Sequence, residues 1–353
     1  MRSTHFAVSI KESRMMDVEQ DMRWLDAVVA SGIGFLHQNL GTEAIDLWRD
    51  FALPGVSVGS TEWVSAFIAA QIGDIPEGRA LAASVVRTIA SRARPTGGWG
   101  YREDVPEDCD STAWVLLAAA SAAVDLPIPV VERSLRFILE HQRDNGGFVT
   151  FGPTAKKTMG TLDRSGWFEP EVSVTSAAAL AIVSTGLVRF EPMRCACIYI
   201  SRQSRGELWA SYWWSGFAYA TYHALLTLSQ AGGVRDEEQL TTVRRAILRL
   251  QSAAGGWTNE QGTPDNGFST SFALRAILLT DRTLASFGAV MESLRFLADF
   301  QTDNGAFLPS TEMLAPGGIK GLNLVLRDNG LMTTACAVRA FHEVRSRLCE
   351  FSS

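Results

Sequence analysis

The sequence predicts an all-α protein built as a single (α/α)6 barrel, in which six outer–inner helix pairs close into a ring. Two observations predict this fold: a motif that recurs about every 50 residues, and a regular alternation of amphipathic with more apolar segments. The motif is a glutamine followed by glycine and an aromatic residue, and its clearest copies are residues 142–148, 251–257 and 301–307. Looser copies begin at Gln203 and Thr96.

The segments on either side of each motif differ in character. Those before it, such as 134–140 and 294–300, place apolar residues at helical spacing with charges between them, which is typical of an outer helix with a solvent face. Those after it are apolar on most sides, and nearly all open with Ser, Thr or Asp. We therefore predict inner helices at residues 60–72, 110–123, 173–185, 212–228, 269–279 and 333–344.

The connections between helices are unequal in length. Outer-to-inner connections are long, as at 145–172 and 304–329, whereas an inner-to-outer connection such as 125–127 is short. All the long loops therefore meet where the inner helices begin, and helix N-termini carry partial positive charge and free N–H groups. We expect the mouth of a site at this end of the barrel. The motif glutamines and aromatic residues are interpreted as architecture.

Length and composition bound the alternatives. The chain has 353 residues and a net charge of −6, with 46% hydrophobic and 20% charged residues, which is an ordinary globular balance. We predict an N-terminal extension at 1–20, the barrel at 21–349 and a C-terminal tail at 350–353. The sequence lacks the clustered lysine and arginine that nucleic-acid binding requires. No oligomeric state is predicted.

Cysteine usage and the N-terminal residues predict a cytoplasmic protein. Five cysteines, an odd number, argue against a disulfide framework, and the Cys195–Cys197 spacing is unlike a metal site. The first residues lack the apolar core of a signal peptide. We predict no metal site, while a peripheral contact with a membrane surface through an apolar patch stays open.

The repeat resembles the QW motif of the prenyltransferase / squalene cyclase superfamily, over roughly residues 20–345. Residues 108–114, Asp-Cys-Asp-Ser-Thr-Ala-Trp, resemble the Asp-x-Asp-Asp/Thr-Thr-Ala motif of class II terpene cyclases. Residues 208–221 resemble the aromatic segment that lines the squalene–hopene cyclase cavity, and residues 262–274 are similar to a later inner-helix start.

This resemblance implies a class II-like terpenoid cyclase that protonates an alkene or epoxide of a linear isoprenoid: a prenyl diphosphate, a polyprene or a meroterpenoid. Asp110 would be the proton donor and Asp108 its partner, and we expect the two carboxyls to share a hydrogen bond. Aromatic faces would stabilise the resulting cation. We expect that no cofactor is required, and that Mg²⁺ takes part only if the substrate carries a diphosphate. The candidate substrate-binding residues are Glu62, Trp63, Trp114, Tyr212, Trp213, Trp214, Tyr219 and Phe272.

The sequence also departs from the family pattern. Squalene-type cyclases place a histidine beside the acid one repeat later, but residues 171–177 contain none. Ser111 stands at the fourth motif position, which is closer to bacterial drimenyl-type cyclases, and we expect a single barrel in place of the two that are usual in the family. The candidates for binding a diphosphate are loop residues, namely Lys156, Lys157, Arg164, Lys320 and Arg327.

Alternative interpretations remain at each candidate residue. Asp110 could serve only as a helix cap, and the aromatic run could be only part of the core. Glu62 could be either a second acid/base group or a first-turn residue whose charge matches the helix dipole. A zinc site using His223, as in protein prenyltransferases, has the wrong spacing around Asp108. Two other functions stay open: a non-catalytic barrel that binds an apolar ligand, and an (α/α)6 carbohydrate-active enzyme with paired carboxylates. The shape and lining of the cavity distinguish them.

Overall fold

The computed structural model describes residues 3–41, 46–51, 59–158, 165–186, 190–231, 237–258, 264–281, 283, 285–319 and 322–352. Within these ranges the chain is mostly helical, which confirms the predicted all-α class. The helices are α1 (Ser3–Gln38), α2 (Glu62–Ile72), α3 (Arg79–Ala90), α4 (Cys109–Ser121), α5 (Ile128–Glu140), α6 (Pro153–Thr158), α7 (Val172–Thr185), α8 (Phe190–Arg202), α9 (Ala218–Gln230), α10 (Glu237–Arg249), α11 (Gly267–Thr280), α12 (Phe287–Ala298) and α13 (Leu331–Ser352).

Six inner helices form the closed ring that the repeats predict. Helix α2 packs against α4, α4 against α7, α7 against α9, α9 against α11, α11 against α13, and α13 returns to α2. Nearly every residue of α2 is buried, whereas the outer helix α5 buries only one face, with Ser134, Leu135 and Ile138. A helix enclosed on all sides must be apolar all round, which accounts for the two classes of segment.

The motif glutamines tie neighbouring repeats together. Gln142 Nε2 donates to Gly146 O at 3.0 Å within its own turn, and to Pro192 O at 2.9 Å in the next outer helix, α8. Gln301 makes the corresponding bond to Val28 O of α1, at 3.2 Å. This last bond joins the final repeat to the first helix, so the same side-chain contact also closes the ring.

The glycine of the motif is required by a close approach to the next outer helix. Gly146 has φ +89°, and a Cβ at this position would lie 2.2 Å from Cys195 O. We expect Gly146→Ala to lower the free energy of unfolding by roughly 2 kcal/mol or more, measured by urea denaturation. The control is Gly34→Ala in α1, where an added Cβ meets no atom within 4 Å and should stabilise the helix slightly. Equal effects of the two substitutions would contradict the expectation.

Two small antiparallel hairpins lie in the long loops at the mouth, and the sequence did not predict them. Strand β1 (Trp99–Gly100) pairs with β2 (Glu107–Asp108), and β3 (Thr311–Ile319) pairs with β4 (Leu322–Arg327). The second hairpin aligns Leu314 with Val325. Each hairpin leads towards the N-terminus of an inner helix, β1–β2 towards α4 and β3–β4 towards α13.

The predicted inner helix over residues 212–228 is wrong at its start, because α9 begins only at Ala218. The preceding segment bonds to strand β3 instead: Leu314 N donates to Trp213 O at 2.8 Å, and Ser215 N donates to Glu312 O at 2.9 Å. Gly216 has φ +70°, which a right-handed helix does not allow. The aromatic run is therefore a loop held against the hairpin.

The predicted domain boundaries at 20/21 and 349/350 both fall inside helices. Helix α1 runs without interruption from Ser3 to Gln38, and α13 extends to Ser352. Within the described ranges, no helix is both long enough and apolar enough to cross a membrane.

A buried cation links four inner helices away from the mouth. Arg275 of α11 is 4% exposed and forms an ion pair of 3.0 Å with Glu343 of α13. Its guanidinium also donates to Gln71 Oε1 of α2 at 2.9 Å and to the Tyr222 hydroxyl of α9 at 2.5 Å. One side chain of α11 therefore satisfies polar groups from three other inner helices.

Candidate active site

A cavity of about 250 Å³ lies at the mouth of the barrel, where the inner helices begin. It is walled by aromatic and aliphatic side chains, and two carboxyl groups stand in the wall on one side. The lining residues are Trp63, Tyr101, Val105, Asp108, Asp110, Ser111, Thr150, Phe151, Trp167, Trp213, Trp214, Met313, Ala315 and Leu326.

Asp108 is the N-cap of α4. Its Oδ1 accepts a hydrogen bond from Ser111 N at 2.7 Å, and its Oδ2 accepts one from Ser111 Oγ at 2.6 Å. The alternative in which Asp110 caps the helix is therefore wrong, because Asp108 has the extended backbone and the bond to the helix N–H that a cap requires. Burial raises the pKa of Asp108 to about 7, and the bonds from Ser111 oppose that rise.

Asp110 lies in the first turn of α4 and faces the cavity. The indole Nε1 of Trp63 donates to its Oδ2 at 2.8 Å. The expected hydrogen bond between the two aspartates is therefore replaced by separate partners, Ser111 for Asp108 and Trp63 for Asp110. Burial raises the pKa of Asp110 well above its usual range, and the charges of Asp108 and Glu171 raise it further. These effects favour the protonated, neutral form of the Asp110 carboxyl.

Three of the predicted aromatic residues face the cavity. Trp63 and Trp214 stack with ring centroids 6.0 Å apart, and both lie in the wall near Asp110. Trp213 is fixed by a bond from its Nε1 to Thr150 Oγ1 at 2.9 Å. These rings present π-faces to whatever occupies the cavity.

The other predicted aromatic residues lie behind this lining. Tyr219 stacks on Trp214 at 4.7 Å, and Phe272 meets Tyr219 edge-on at 5.0 Å. Trp114 is 3% exposed beneath them, and Tyr212 packs edge-on against Trp213 at 5.3 Å. Tyr219, Phe272 and Trp114 lie under the cavity, where they support the lining residues without contacting the cavity.

Comparison with known proteins finds relatives in sequence and in fold. No protein-family model matches the chain. Drimenyl diphosphate synthase from Streptomyces showdoensis is 26% identical over 265 residues, which cover 73% of this chain and 47% of that protein. The chain therefore spans about half the length of this curated relative.

Solved structures extend the comparison to the fold. A variant of the type II terpene cyclase MstE from Scytonema superposes with a TM-score of 0.82 at 22% identity, covering 93% of this chain and 99% of that one. The chain thus has the fold of a type II terpene cyclase and is similar in sequence to drimenyl diphosphate synthase. A protein from Actinoplanes is 26% identical, with a TM-score of 0.77 over 90% of this chain and 99% of its own. Another MstE variant was solved with geranylgeranyl dihydroxybenzoate, its substrate.

Glu62 does not reach the cavity of this class II terpene cyclase-like barrel. It is 1% exposed, its Oε2 accepts from Gly100 N at 3.1 Å, and it lies 3.4 Å from Arg94 Nη2. Burial raises its pKa, while the bond from Gly100 and the charge of Arg94 lower it. These contacts dock strand β1 onto α2, so the structure favours the structural interpretation of this residue over the binding one.

The cyclase-like cavity also has a wall that the sequence analysis missed. Tyr101, Thr150, Phe151 and Trp167 reach it from the long loops, and the β3–β4 hairpin supplies Met313, Ala315 and Leu326. A signal existed for two of them, since Tyr101 and Phe151 each follow a motif aromatic by two or three residues. The hairpin residues had none, because their place depends on the fold of a long loop.

Among the described residues, the candidate metal ligands and the candidate diphosphate-binding residues have few neighbours of the kind that such sites need. No group of three or more His, Cys, Asp and Glu side chains is arranged there to hold a metal ion. His223 is 3% exposed, its Nδ1 lies 2.9 Å from Tyr219 O, and burial lowers its pKa to about 3, so the ring is neutral. Arg327 is exposed on β4. The side chains of Lys156, Lys157, Arg164 and Lys320 lie outside the described part.

Proposed function

We propose that this chain is a class II-like terpenoid cyclase, which protonates a terminal alkene or epoxide of a linear isoprenoid and closes at least one ring. The observation that carries the proposal is the Asp110 carboxyl, bonded by Trp63 in the wall of an aromatic cavity, beside an Asp108 that already serves as the helix cap. Asp110 is the proposed general acid.

The placement of Asp110 suits proton transfer to carbon. Burial and the neighbouring negative charges raise its pKa, which favours the protonated form that a proton donor needs. During reaction its O–H bond breaks, the π electrons of the alkene form a C–H bond with that proton, and a carbocation and a carboxylate result. The next double bond then attacks the cation, and loss of a proton to a base ends the sequence.

The lining of the cavity suits the carbocation. Trp63, Trp213 and Trp214 offer π-faces, and a cation over such a face gains about 0.5–2 kcal/mol, more when it is desolvated. The aliphatic residues of the hairpin complete a wall that matches a hydrocarbon chain. An environment of this kind delays capture of the cation by water.

The substrate is proposed as an apolar isoprenoid, bound without a required cofactor. MstE binds an isoprenoid attached to an aromatic acid, and the curated relative is named for a diphosphate. If the substrate of this chain carries a diphosphate, Mg²⁺ and the loop lysines and arginines are the proposed partners of that group. Contact with a membrane surface is proposed only for delivery of a lipophilic substrate.

A panel of substrates tests the function. Purified protein is incubated with farnesyl diphosphate, geranylgeranyl diphosphate, squalene and a prenylated aromatic acid, and products are identified by mass spectrometry. We expect a cyclic isomer or hydrate from at least one of them. If every substrate is returned unchanged while the apolar ones bind, the barrel is a binding protein. Cleavage of an oligosaccharide, added as a fifth candidate, identifies a carbohydrate-active enzyme.

The charge of Asp108 sets the pH dependence of the reaction. Activity requires protonated Asp110, so the rate is expected to fall as the pH rises through the pKa of Asp110. Asp108→Asn removes a negative charge that raises this pKa, and the alkaline limb should therefore move to lower pH. The exposed Asp144→Asn serves as the control and should leave the profile in place. An alkaline limb that stays fixed or rises in Asp108→Asn would contradict the coupling of the two carboxyls.

A further inference from the structure

Two indole N–H groups stand beside the Asp110 carboxyl, and they are used differently. Trp63 Nε1 donates to Asp110 Oδ2 at 2.8 Å. The ring of Trp63 is 4% exposed and stacks against Tyr101 at 6.1 Å and against Trp214 at 6.0 Å. Because the ring is buried and packs against these two neighbours, the direction of its N–H group is fixed.

A fixed donor on Oδ2 decides which oxygen carries the proton. A protonated carboxyl has one carbonyl oxygen, which is the better acceptor, and one hydroxyl oxygen. The Trp63 N–H therefore favours the tautomer in which Oδ2 is the carbonyl and Oδ1 holds the hydrogen. Without this bond the two oxygens of Asp110 would share the proton more evenly.

Trp114 offers the second N–H, and it is unused in the resting state. Its Nε1 is buried and has no hydrogen-bond partner among the described residues. Trp114 lies four residues after Asp110 in α4, one helical turn further along the same face, and its N–H favours the charged form of Asp110 and of Tyr219. Buried N–H groups without partners are rare, so this one needs an explanation.

We propose that the Trp63 indole fixes the transferable proton on Asp110 Oδ1, and that the Trp114 indole bonds the Asp110 carboxylate only as that proton leaves. This inference rests on the function proposed above. In the step itself, the Oδ1–H bond breaks and a C–H bond forms on the alkene. Negative charge then spreads over both carboxylate oxygens, and Trp114 gains an acceptor that the neutral acid did not offer.

The two tryptophans are thus positioning residues with separable effects. The Trp63 bond exists before and during proton transfer. The Trp114 bond forms only as charge develops, which is the kind of interaction that accelerates a chemical step without tightening substrate binding. Together they supply the acid with the donors that a neighbouring histidine would otherwise provide.

In the test, Trp63 and Trp114 are replaced one at a time, in the full chain, by β-(3-benzothienyl)alanine. This residue keeps the shape of tryptophan and substitutes sulfur for the N–H group. The carbonyl band of protonated Asp110 is read by infrared difference spectroscopy against the matching Asp110→Asn protein, and kcat and KM are measured on the substrate found by the panel. The replacement at Trp63 should move the band to higher frequency and lower kcat about ten-fold, with KM changed less than about two-fold. The replacement at Trp114 should leave the band in place and lower kcat by a similar factor.

Trp257 provides the matched control. It is buried in the motif of another repeat, where its Nε1 donates to the backbone carbonyl of Ile247 at 2.9 Å. The same replacement there removes one hydrogen bond and should lower the melting temperature, while the infrared band and kcat stay unchanged. An unmoved band in the Trp63 protein, or a shifted band in the Trp114 protein, overturns the proposal.

A second measurement keeps the test independent of those replacements and of turnover. In ¹⁵N-labelled protein, Asp110→Ala removes the acceptor of the Trp63 N–H, so the Trp63 indole proton should shift upfield while that of Trp257 stays in place. Shifts of this kind without any turnover would leave the Trp63 contact standing and reject the cyclase function. Turnover without them would reject the role of Trp63 and leave the function standing.

Discussion

Asp110→Asn is expected to lower turnover by about 10²–10⁴-fold or more while leaving the fold intact. Asparagine keeps the size of the side chain and an oxygen that accepts from Trp63 Nε1, but it has no transferable proton. Because Asp108 caps α4, the substitution does not disturb the helix start, and the free energy of unfolding should change by well under about 1 kcal/mol. Product formation by mass spectrometry and thermal melting measure the two effects.

Two controls make this result decisive. Asp144→Asn makes the same chemical change in an exposed turn and should retain full turnover. Asp108→Asn changes the strength of the acid without removing it and should give an intermediate loss. A well-folded Asp110→Asn protein with wild-type turnover would reject the proposed mechanism and leave the barrel with another chemistry.

Removing the buried cation is expected to have the largest effect on stability. Arg275→Ala leaves Gln71 Oε1 and the Tyr222 hydroxyl without their buried donor and takes one of the two arginines from Glu343. Breaking a buried ion pair by removing one partner costs about 3–5 kcal/mol, so the midpoint of urea denaturation should fall clearly.

An exposed ion pair provides the comparison for Arg275. Arg194 pairs with Glu191 on the surface of α8, where the two side chains are 52% and 65% exposed. Arg194→Ala should leave the denaturation midpoint almost unchanged, because water and salt screen such pairs. Equal shifts of the denaturation midpoint in the two variants would show that burial does not account for the stabilising effect of Arg275.

Much of the fold could be predicted because the repeat controls it directly. Gln142 and Gly146 act within one turn and its immediate neighbour, so their role can be read from local sequence. The boundaries of the inner helices followed from apolar composition to within a few residues in most repeats. The exception was residues 212–217, whose aromatic side chains resemble an inner helix although their backbone bonds to β3.

The candidate site was less accessible to sequence reasoning. The motif located Asp108 and Asp110, but which of them caps the helix and which faces the cavity depends on backbone geometry at the start of α4. Trp63 was predicted as a wall of the cavity, whereas its bond to Asp110 joins residues 47 positions apart. The hairpin wall was missed because long loops carry little periodicity. The run Pro316-Gly317-Gly318 between apolar residues was the available sign of a turn.

The bond from Gln301 to Val28 and the contact of α13 with α2 close the ring, and this closure affects how the protein unfolds. A linear array of repeats has two ends, and its outermost units can fray one at a time because each contacts a single neighbour. In a ring every unit has two neighbours, so releasing one repeat breaks two interfaces at once. Amide protons of the six inner helices should therefore exchange with solvent through one shared opening event, with similar protection around the circle.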